Sequence, residues 1–358
     1  MKINLINKLA SERNDACVTI SFNTHRTHPD NQQDTIKLKN LLKDAEGRLL
    51  QQFDKRSIQP LLENLQILSD KVDVNRHLDS AHIFVSNETL EVIRSPFRTP
   101  EDLVHISDSF TVRPLIRAYT RTESYMIMVL GQSGVHLYEA ENDSIQHEIT
   151  DHDFPFGENQ IYTTDKAKKS DSKKMDDMVR EYFNRVDKSL LHVFNDYGMN
   201  VVVVSTPENY EALMEVADRP SIYYGHVNID YNNTAPHKLA ADAWTLMQHI
   251  MKKGREEVIA EVQRAVGPGK VVTDLGEVYR AAKEGRGDTL IIHEDYAQPV
   301  FFHVDGTFDI VEDATTPGAV DDLVSDIAWE VIQKKGSVVF TRIEELANLG
   351  KIALKLRW

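Results

Sequence analysis

The clearest pattern in the chain is an apolar stripe at helical spacing, Met178, Val179, Tyr182, Phe183, Val186, Leu190, Val193 and Phe194. It predicts a helix of about five turns with one buried face, starting near Met175. The turn-formers Pro155 and Gly157 precede it, followed by Thr163-Thr164-Asp165 and the lysines Lys166, Lys168, Lys169, Lys173 and Lys174. A basic loop is thus mounted on an amphipathic helix. A solvated lysine-rich linker and an anion-binding loop both fit that pattern.

The same reading organises the rest of the chain. Cys17 to Phe22, β-branched and partly alternating, predicts a strand that ends in the polar turn Asn23 to Pro29. A helical stripe (Ile36, Leu38, Leu41, Leu42, Ala45, Leu49, Leu50), a second helix from Ile58 to Leu68, and strands at 81–86, 90–94 and 109–113 complete a first α/β domain, residues 1–118. In a second, residues 119–229, strands 124–130 and 135–140 form a hairpin across Gly131-Gln132-Ser133-Gly134. The basic loop 156–174 and its helix follow, then the run Val201 to Val204, which reads as a strand buried on both faces. Pro207 opens a helix that reaches Ala217. Residues 230–236 have linker composition, and a third domain, 237–358, starts with a long helix from Leu239 to Val266, stopped by Gly267-Pro268-Gly269. Helices at 275–283, 321–334 and 343–349 alternate there with strands at 288–293, 337–341 and 352–356, and a ribbon pairs 300–304 with 307–311 across Asp305-Gly306. Alternating strands and helices with both sheet faces covered predict an αβα sandwich. The expected fold class is α/β, in three domains.

The chain has 358 residues, 41% hydrophobic and 27% charged, which suffices for such cores. No run of about 18 apolar residues is present and Met1 to Ala10 has no signal-peptide core, so the expectation is a cytoplasmic protein with no membrane partner. Cys17 is the only cysteine, which excludes an intrachain disulfide and a cysteine-based zinc knuckle; no metal and no cofactor are expected. A formal net charge of −15 repels phosphate at long range. DNA is therefore not an expected partner, and RNA would have to be met through local basic patches.

Candidate chemistry is sparse. His25-x-x-His28 has the spacing of a metal pair, but Arg26 between them repels a cation, and a hydrogen-bonded turn is the better reading. Arg26, at the end of a strand, is a candidate phosphate or carboxylate contact. Gly131 and Gly134 lead into a returning strand, whereas a phosphate loop opens a helix. No Walker loop, G-x-G-x-x-G, H-E-x-x-H or G-x-S-x-G occurs, and nothing selects an acid and base pair from 56 acidic residues. Cys17, inside a strand, reads as inert and packed. Lys351, Lys355 and Arg357 alternate along the last strand, where charges guarding a sheet edge are preferred to a phosphate-binding face. Lys252, Lys253 and Arg255 read as a solvated helix face.

Gly285-Arg286-Gly287-Asp288 with the strand after it, Asp321-Asp322-Leu323 opening a helix, Lys335-Gly336-Ser337-Val338-Val339-Phe340, and the ending Gly350 to Trp358 resemble the C-terminal domain of the bacterial branch of the archaeo-eukaryotic release factor superfamily, the relatives of Pelota. The Cys17 to Arg26 segment with Asp34-x-x-Lys37-Leu38-Lys39-Asn40-Leu41-Leu42 is similar to the start of those proteins. The resemblance implies a variable N-terminal domain, a central RNase H-like domain, and a C-terminal domain resembling kink-turn-binding ribosomal proteins. It implies ribosomal RNA as partner, with a tRNA site and a delivering translational GTPase as further candidates. In that family a Gly-Gly-Gln loop precedes the long central helix; here the corresponding stretch holds Gly157-Glu158-Asn159-Gln160 and the lysines, with no Gly-Gly-Gln. Two adjacent glycines give the backbone the freedom to approach an ester closely, so without them hydrolysis is not carried over. The expectation is a non-hydrolytic ribosome factor in rescue or hibernation, with Lys166, Lys168, Lys169, Lys173, Lys174 and Arg26 as RNA contacts. Two rivals stay open: a protein-interaction module unrelated to ribosomes, and a peptidyl-tRNA or RNA hydrolase using Gln160 with Asp165.

Overall fold

The computed structural model describes residues 3–131, 134–157, 172–229, 236–312, 319–320, 322–342 and 349–358. They divide into two compact units: residues 1–121 with 257–358, and residues 122–256.

The N-terminal part of the first unit runs α1 (Ile3–Ser11), β1 (Cys17–Asn23), α2 (Asn31–Gln52), α3 (Gln59–Lys71), β2 (Ser80–Val85), β3 (Leu90–Ser95), β4 (Leu103–Ser107) and α4 (Arg113–Arg121). The strands form an antiparallel sheet in the order β3-β2-β1-β4. Val18, Ile20 and Phe22 of β1 point to one face, where Leu38, Leu42, Ala45 and Leu49 of α2 and Leu61, Leu65 and Leu68 of α3 cover them. This is the period-2 strand meeting the 3.6-period helix stripe that the pattern predicts.

One local expectation is corrected and one helix is additional. The strand expected at 109–113 lies earlier, at Leu103–Ser107, where Val104 pairs with Ile20 and Ile106 with Val18. Residues from Arg113 are helical instead, because Pro114 fits a first helical turn and Leu115, Ile116 and Ala118 form a buried helical stripe. α1 was not predicted: it is a short amphipathic helix whose buried face is only Ile6 and Leu9.

The turn after β1 is fastened by one buried carboxylate. Asp34, in the first turn of α2, accepts from the His25 amide at 2.8 Å, from His25 Nδ1 at 2.8 Å and from His77 Nδ1 at 3.1 Å. His28 Nε2 meets Gln32 Nε2 at 3.0 Å. Among the described residues no group of His, Cys, Asp and Glu is arranged to hold a metal.

The C-terminal part of this unit contains the end of α7 (Pro236–Val266), β10 (Val271–Val272), α8 (Leu275–Lys283), β11 (Gly287–His293), the ribbon β12 (Val300–Phe302) with β13 (Phe308–Ile310), α9 (Leu323–Gln333), β14 (Ser337–Thr341) and β15 (Ile352–Leu356). Its sheet has the order β10-β15-β11-β14. Leu290 and Ile292 of β11 pack with α8 and α9, whereas Ile291 packs with Ile259 and Val262 of α7. That is an αβα sandwich. The edge-strand reading of Lys351, Lys355 and Arg357 is corrected: β15 lies between β10 and β11, and Lys355 is ion-paired to Glu261 at 2.5 Å and Asp288 at 2.8 Å. The short helix expected at 343–349 lies almost wholly outside the described residues. Cys17 is buried, and burial first, then the nearby Glu12 and Asp108 charges, push its thiol up to about 12.

The N- and C-terminal parts share one core, in which Ile6, Leu9, Phe84, Phe110, Leu115 and Ile116 pack with Leu323, Ile327, Ala328 and Phe340.

The second unit is built on β5 (Ser124–Gly131), β6 (Gly134–Glu141), β7 (Ser144–Glu148), α5 (Ser172–Tyr197), β8 (Val201–Val204), α6 (Pro207–Val216) and β9 (Tyr223–Val227). The sheet order is β7-β6-β5-β8-β9; the first three strands are an antiparallel meander and β8 and β9 run parallel to β5. This is the strand order and sense of an RNase H-like sheet. Val201 and Val203 face α5 and α6, while Val202 and Val204 face Leu239, Ala243 and Met247 of α7, so four consecutive valines are buried because both faces are covered. No described helix is long and apolar enough to cross a membrane.

The Asp34 network gives a pH-dependent prediction. Burial pushes its carboxyl up, but the hydrogen bonds from the His25 amide, His77 and the His25 ring together outweigh that and hold it below the ordinary carboxylate value. A carboxylate depressed on folding contributes stability that is present above its unfolded pKa, about 3.9, and lost as pH falls through the folded value. Asp34→Ala is expected to cost about 3 kcal/mol at pH 7. Urea unfolding of both proteins at pH 7 and at acid pH should show that gap narrowing as pH falls below about 3.9.

Candidate functional site

Gly157 and Ser172 are the described residues on either side of the basic stretch, and the structure shows how the segments that flank it are held. On the entry side Val135 and Phe156 exchange two backbone hydrogen bonds, the Val135 N–H donating at 3.1 Å and the Phe156 N–H at 2.9 Å. A residue of the loop stem is thereby added to the edge of the β5–β6 hairpin at its turn.

Gly134 makes this possible. Its φ is +129°, and a Cβ built on it would lie 2.1 Å from the Phe156 carbonyl oxygen. No side chain fits there, and few L-residues adopt that φ.

The stem is also riveted to α5. Phe154 and Phe156 stack edge to face with centroids 5.1 Å apart, and Phe156 meets Tyr182 at 6.1 Å. Both phenylalanines join Phe183, Val186 and Leu190 in the core beneath the helix. The Arg185 guanidinium lies 6.0 Å over the Phe156 ring. Before the stem, His152 and Asp153 have φ of 49° and 72°, a left-handed turn that costs on the order of 1 kcal/mol per non-glycine residue. Polar contacts to α5 hold them there: His152 Nε2 lies 2.6 Å from Asp196 Oδ2, and Ser189 Oγ donates to Asp153 Oδ2 at 3.2 Å.

On the return side, α5 is fixed by its apolar stripe and by Asp187. This buried carboxylate accepts from the Tyr223 hydroxyl at 2.5 Å and from the Asp218 amide at 2.9 Å. Burial, reinforced by Asp187, pushes the Tyr223 phenol far up, so it remains a donor. Burial raises Tyr182 to about 12; among the described residues its hydroxyl has no hydrogen-bond partner, and it sits beside the stem.

Lys173 and Lys174 lie in the first turn of α5. Lys166, Lys168 and Lys169, with Gln160 and Asp165, fall outside the described residues. Arg26 lies in the other unit, where its Nε and Nη2 donate to the two Asp79 carboxylate oxygens at 3.0 and 2.7 Å. A groove of about 400 Å³ runs beside α5, lined by Asp177, Glu181, Glu215, Arg180 and Asn184. Its acidic balance disfavours RNA phosphate.

The anchors were not singled out from the sequence. Asp151-His152-Asp153-Phe154-Pro155-Phe156 is a dense polar and aromatic run, and that composition is the only local sign of a pinned stem. Its partners on α5 are 36 to 44 residues away.

Residues 124–286 match the family model "Bacterial archaeo-eukaryotic release factor family 3". The resemblance to bacterial release-factor-like proteins holds. The matched segment includes β5 to β9, the loop and α5, and it contains no Gly-Gly-Gln. Three solved structures are similar. The archaeal translation termination factor aRF1 is 14% identical, with 99% of this chain and 96% of that one covered and a TM-score of 0.25. Pelota from Archaeoglobus fulgidus is 13% identical, with 78% and 79% covered and a TM-score of 0.37. Dom34 from S. cerevisiae, described as a translation termination-like factor interacting with Hbs1, is 13% identical, with 76% of each chain covered and a TM-score of 0.35. No curated protein matches the chain.

The close approach at Gly134 is directly testable. Gly134→Ala is expected to cost at least about 2 kcal/mol, because the methyl group displaces the Phe156 carbonyl and strains φ. Chemical unfolding followed by tryptophan and tyrosine fluorescence measures it, with Gly157→Ala, which meets nothing within 4 Å, as the neutral control.

Proposed function

We propose that this chain is a ribosome-associated translation factor of the release-factor and Pelota type that does not hydrolyse peptidyl-tRNA, and that it acts in rescue of stalled ribosomes or their protection in dormancy. The observation that carries the reading is a family segment with the loop stem and α5 fixed while the Gly-Gly-Gln tripeptide is missing between them. A loop held at both ends can be presented to a site. Without the glycine pair its backbone lacks the freedom that close approach to an ester demands.

In this reading residues 1–118, 119–229 and 237–358 are the three domains, and Lys166, Lys168, Lys169, Lys173 and Lys174 meet ribosomal RNA phosphates. Arg26 contributes there only by exchanging Asp79 for phosphate. A translational GTPase would deliver the factor, by analogy with the Hbs1 partner in the description of Dom34.

Co-sedimentation with ribosomes tests this. The full chain should pellet with ribosomes at low salt and release as salt rises, and replacing the five lysines by alanine should weaken pelleting at least about tenfold. Peptidyl-tRNA turnover should stay at the buffer rate. No association at either low or moderate salt would sink the reading.

A further inference from the structure

We propose that the arginine cluster around Glu294 is an anion-binding site that takes a phosphate group. The site lies within the first unit, between α4, the residues that follow β11, and Arg342 at the end of β14. It does not depend on the ribosomal reading.

Arg113, Arg117 and Arg121 recur every fourth residue and so lie along one side of α4, while Leu115, Ile116 and Ala118 enter the core. Arg113 is fully used: its Nη1 donates to Asp322 Oδ2 at 2.6 Å and its Nη2 to the Tyr296 carbonyl. The other two share one carboxylate with a third arginine. Arg121 Nη2 reaches Glu294 Oε1 at 2.5 Å, whereas Arg117 Nη2 and Arg342 Nε reach Glu294 Oε2 only at 3.9 Å. Arg342 follows β14 and is 82% exposed, and the Lys351 ammonium lies 5.6 Å from the centre of the Tyr296 ring, whose residue's carbonyl Arg113 engages.

Among the described residues one carboxylate therefore faces three guanidiniums, with Asp295 as a second, weaker source of negative charge on Arg117. Burial first, and then repulsion from Arg121, pull Arg117 down to about 10. Packing alone does not call for this imbalance. Leu115 and Ile116 already join α4 to the shared core, and Arg113 with Asp322 shows what a one-to-one clamp looks like here.

A phosphate group fits the surplus. At 3.9 Å the Arg117 and Arg342 forks are beyond hydrogen-bond length from Glu294, so the donors that face it are not spent on it. A free phosphate offers four oxygens and more charge than a carboxylate, a phosphodiester two unbridged oxygens set tetrahedrally, and planar forks engage either in pairs. In a chain of net charge −15 such a surplus is local, so the ligand is recognised at contact and little steered from afar. Free phosphate and the RNA backbone both present anionic phosphoryl oxygens, the free ion more of them.

The experiment uses the full chain with two probes: inorganic phosphate by calorimetry, and a labelled 12-nucleotide single-stranded RNA by anisotropy. The RNA arm is run on the chain with its five loop lysines replaced by alanine, so that only the cluster is read. Arg342→Gln should weaken binding about fivefold or more. Glu294→Gln, which removes the competing carboxylate, should tighten it by a similar factor. A purely structural cluster predicts the opposite for the second variant: lower stability and no gain in affinity. Binding of phosphate alone assigns the site to a free ligand, and binding of RNA as well assigns it to a nucleic-acid backbone. If Glu294→Gln does not fold, Arg342→Gln and Arg342→Glu, at an exposed position, still decide. The proposal is overturned if neither probe binds at millimolar concentration, if Glu294→Gln folds and does not tighten binding, or if both Arg342 variants bind as the parent does.

Discussion

The approach of the Phe156 carbonyl to Gly134 is the contact on which the fixing of residues 152–157 depends. It turns one residue of a connecting segment into an added rung of a sheet, and everything that fixes the stem follows from that rung. Once Phe156 is paired, Phe154 and Phe156 can point only into the core under α5, and Tyr182 and Phe183 complete the aromatic cluster that closes over them. The left-handed pair His152 and Asp153 brings the chain into that register and is held by Asp196 and Ser189. A loop with loose ends would lose more conformational freedom on docking than one whose ends are already fixed.

The second unit was legible where burial is on both faces and obscure where it is on one. Four successive valines state a covered strand directly, and the stripe from Met178 to Phe194 states a helix directly. β7 was missed because an edge strand with exposed Gln146 and His147 has no apolar alternation to show. β9 was missed because Gly225, with φ of +130°, interrupts it and a short helical turn runs straight into it. In the other unit, Val112 and Thr111 invited a strand, but Pro114 and the stripe behind it decided for a helix.

The same distinction holds for the site. The lysines and turn-formers are local signals and single out the stretch 156–174 in the sequence. Its anchors were hidden, since an aspartate on α5 and a histidine before the stem become meaningful only after the chain has closed. Arg117 and Arg121 have visible spacing, yet Glu294, the carboxylate they share, lies 173 residues beyond Arg121. Residues that act together through tertiary contact leave little trace in a single sequence.

The shared core of the first unit has a consequence for how the protein is made. Ile6, Leu9, Leu115 and Ile116 find their packing partners in α9 and β14, and residues 122–256 are synthesised in between. The nascent N-terminal part therefore exposes one apolar face until the last hundred residues have emerged, while the second unit, continuous in the chain, can close first. Contacts of such long sequence separation form slowly, which makes the waiting face a natural client for chaperones and places the rate of production, more than final stability, under the control of chain order.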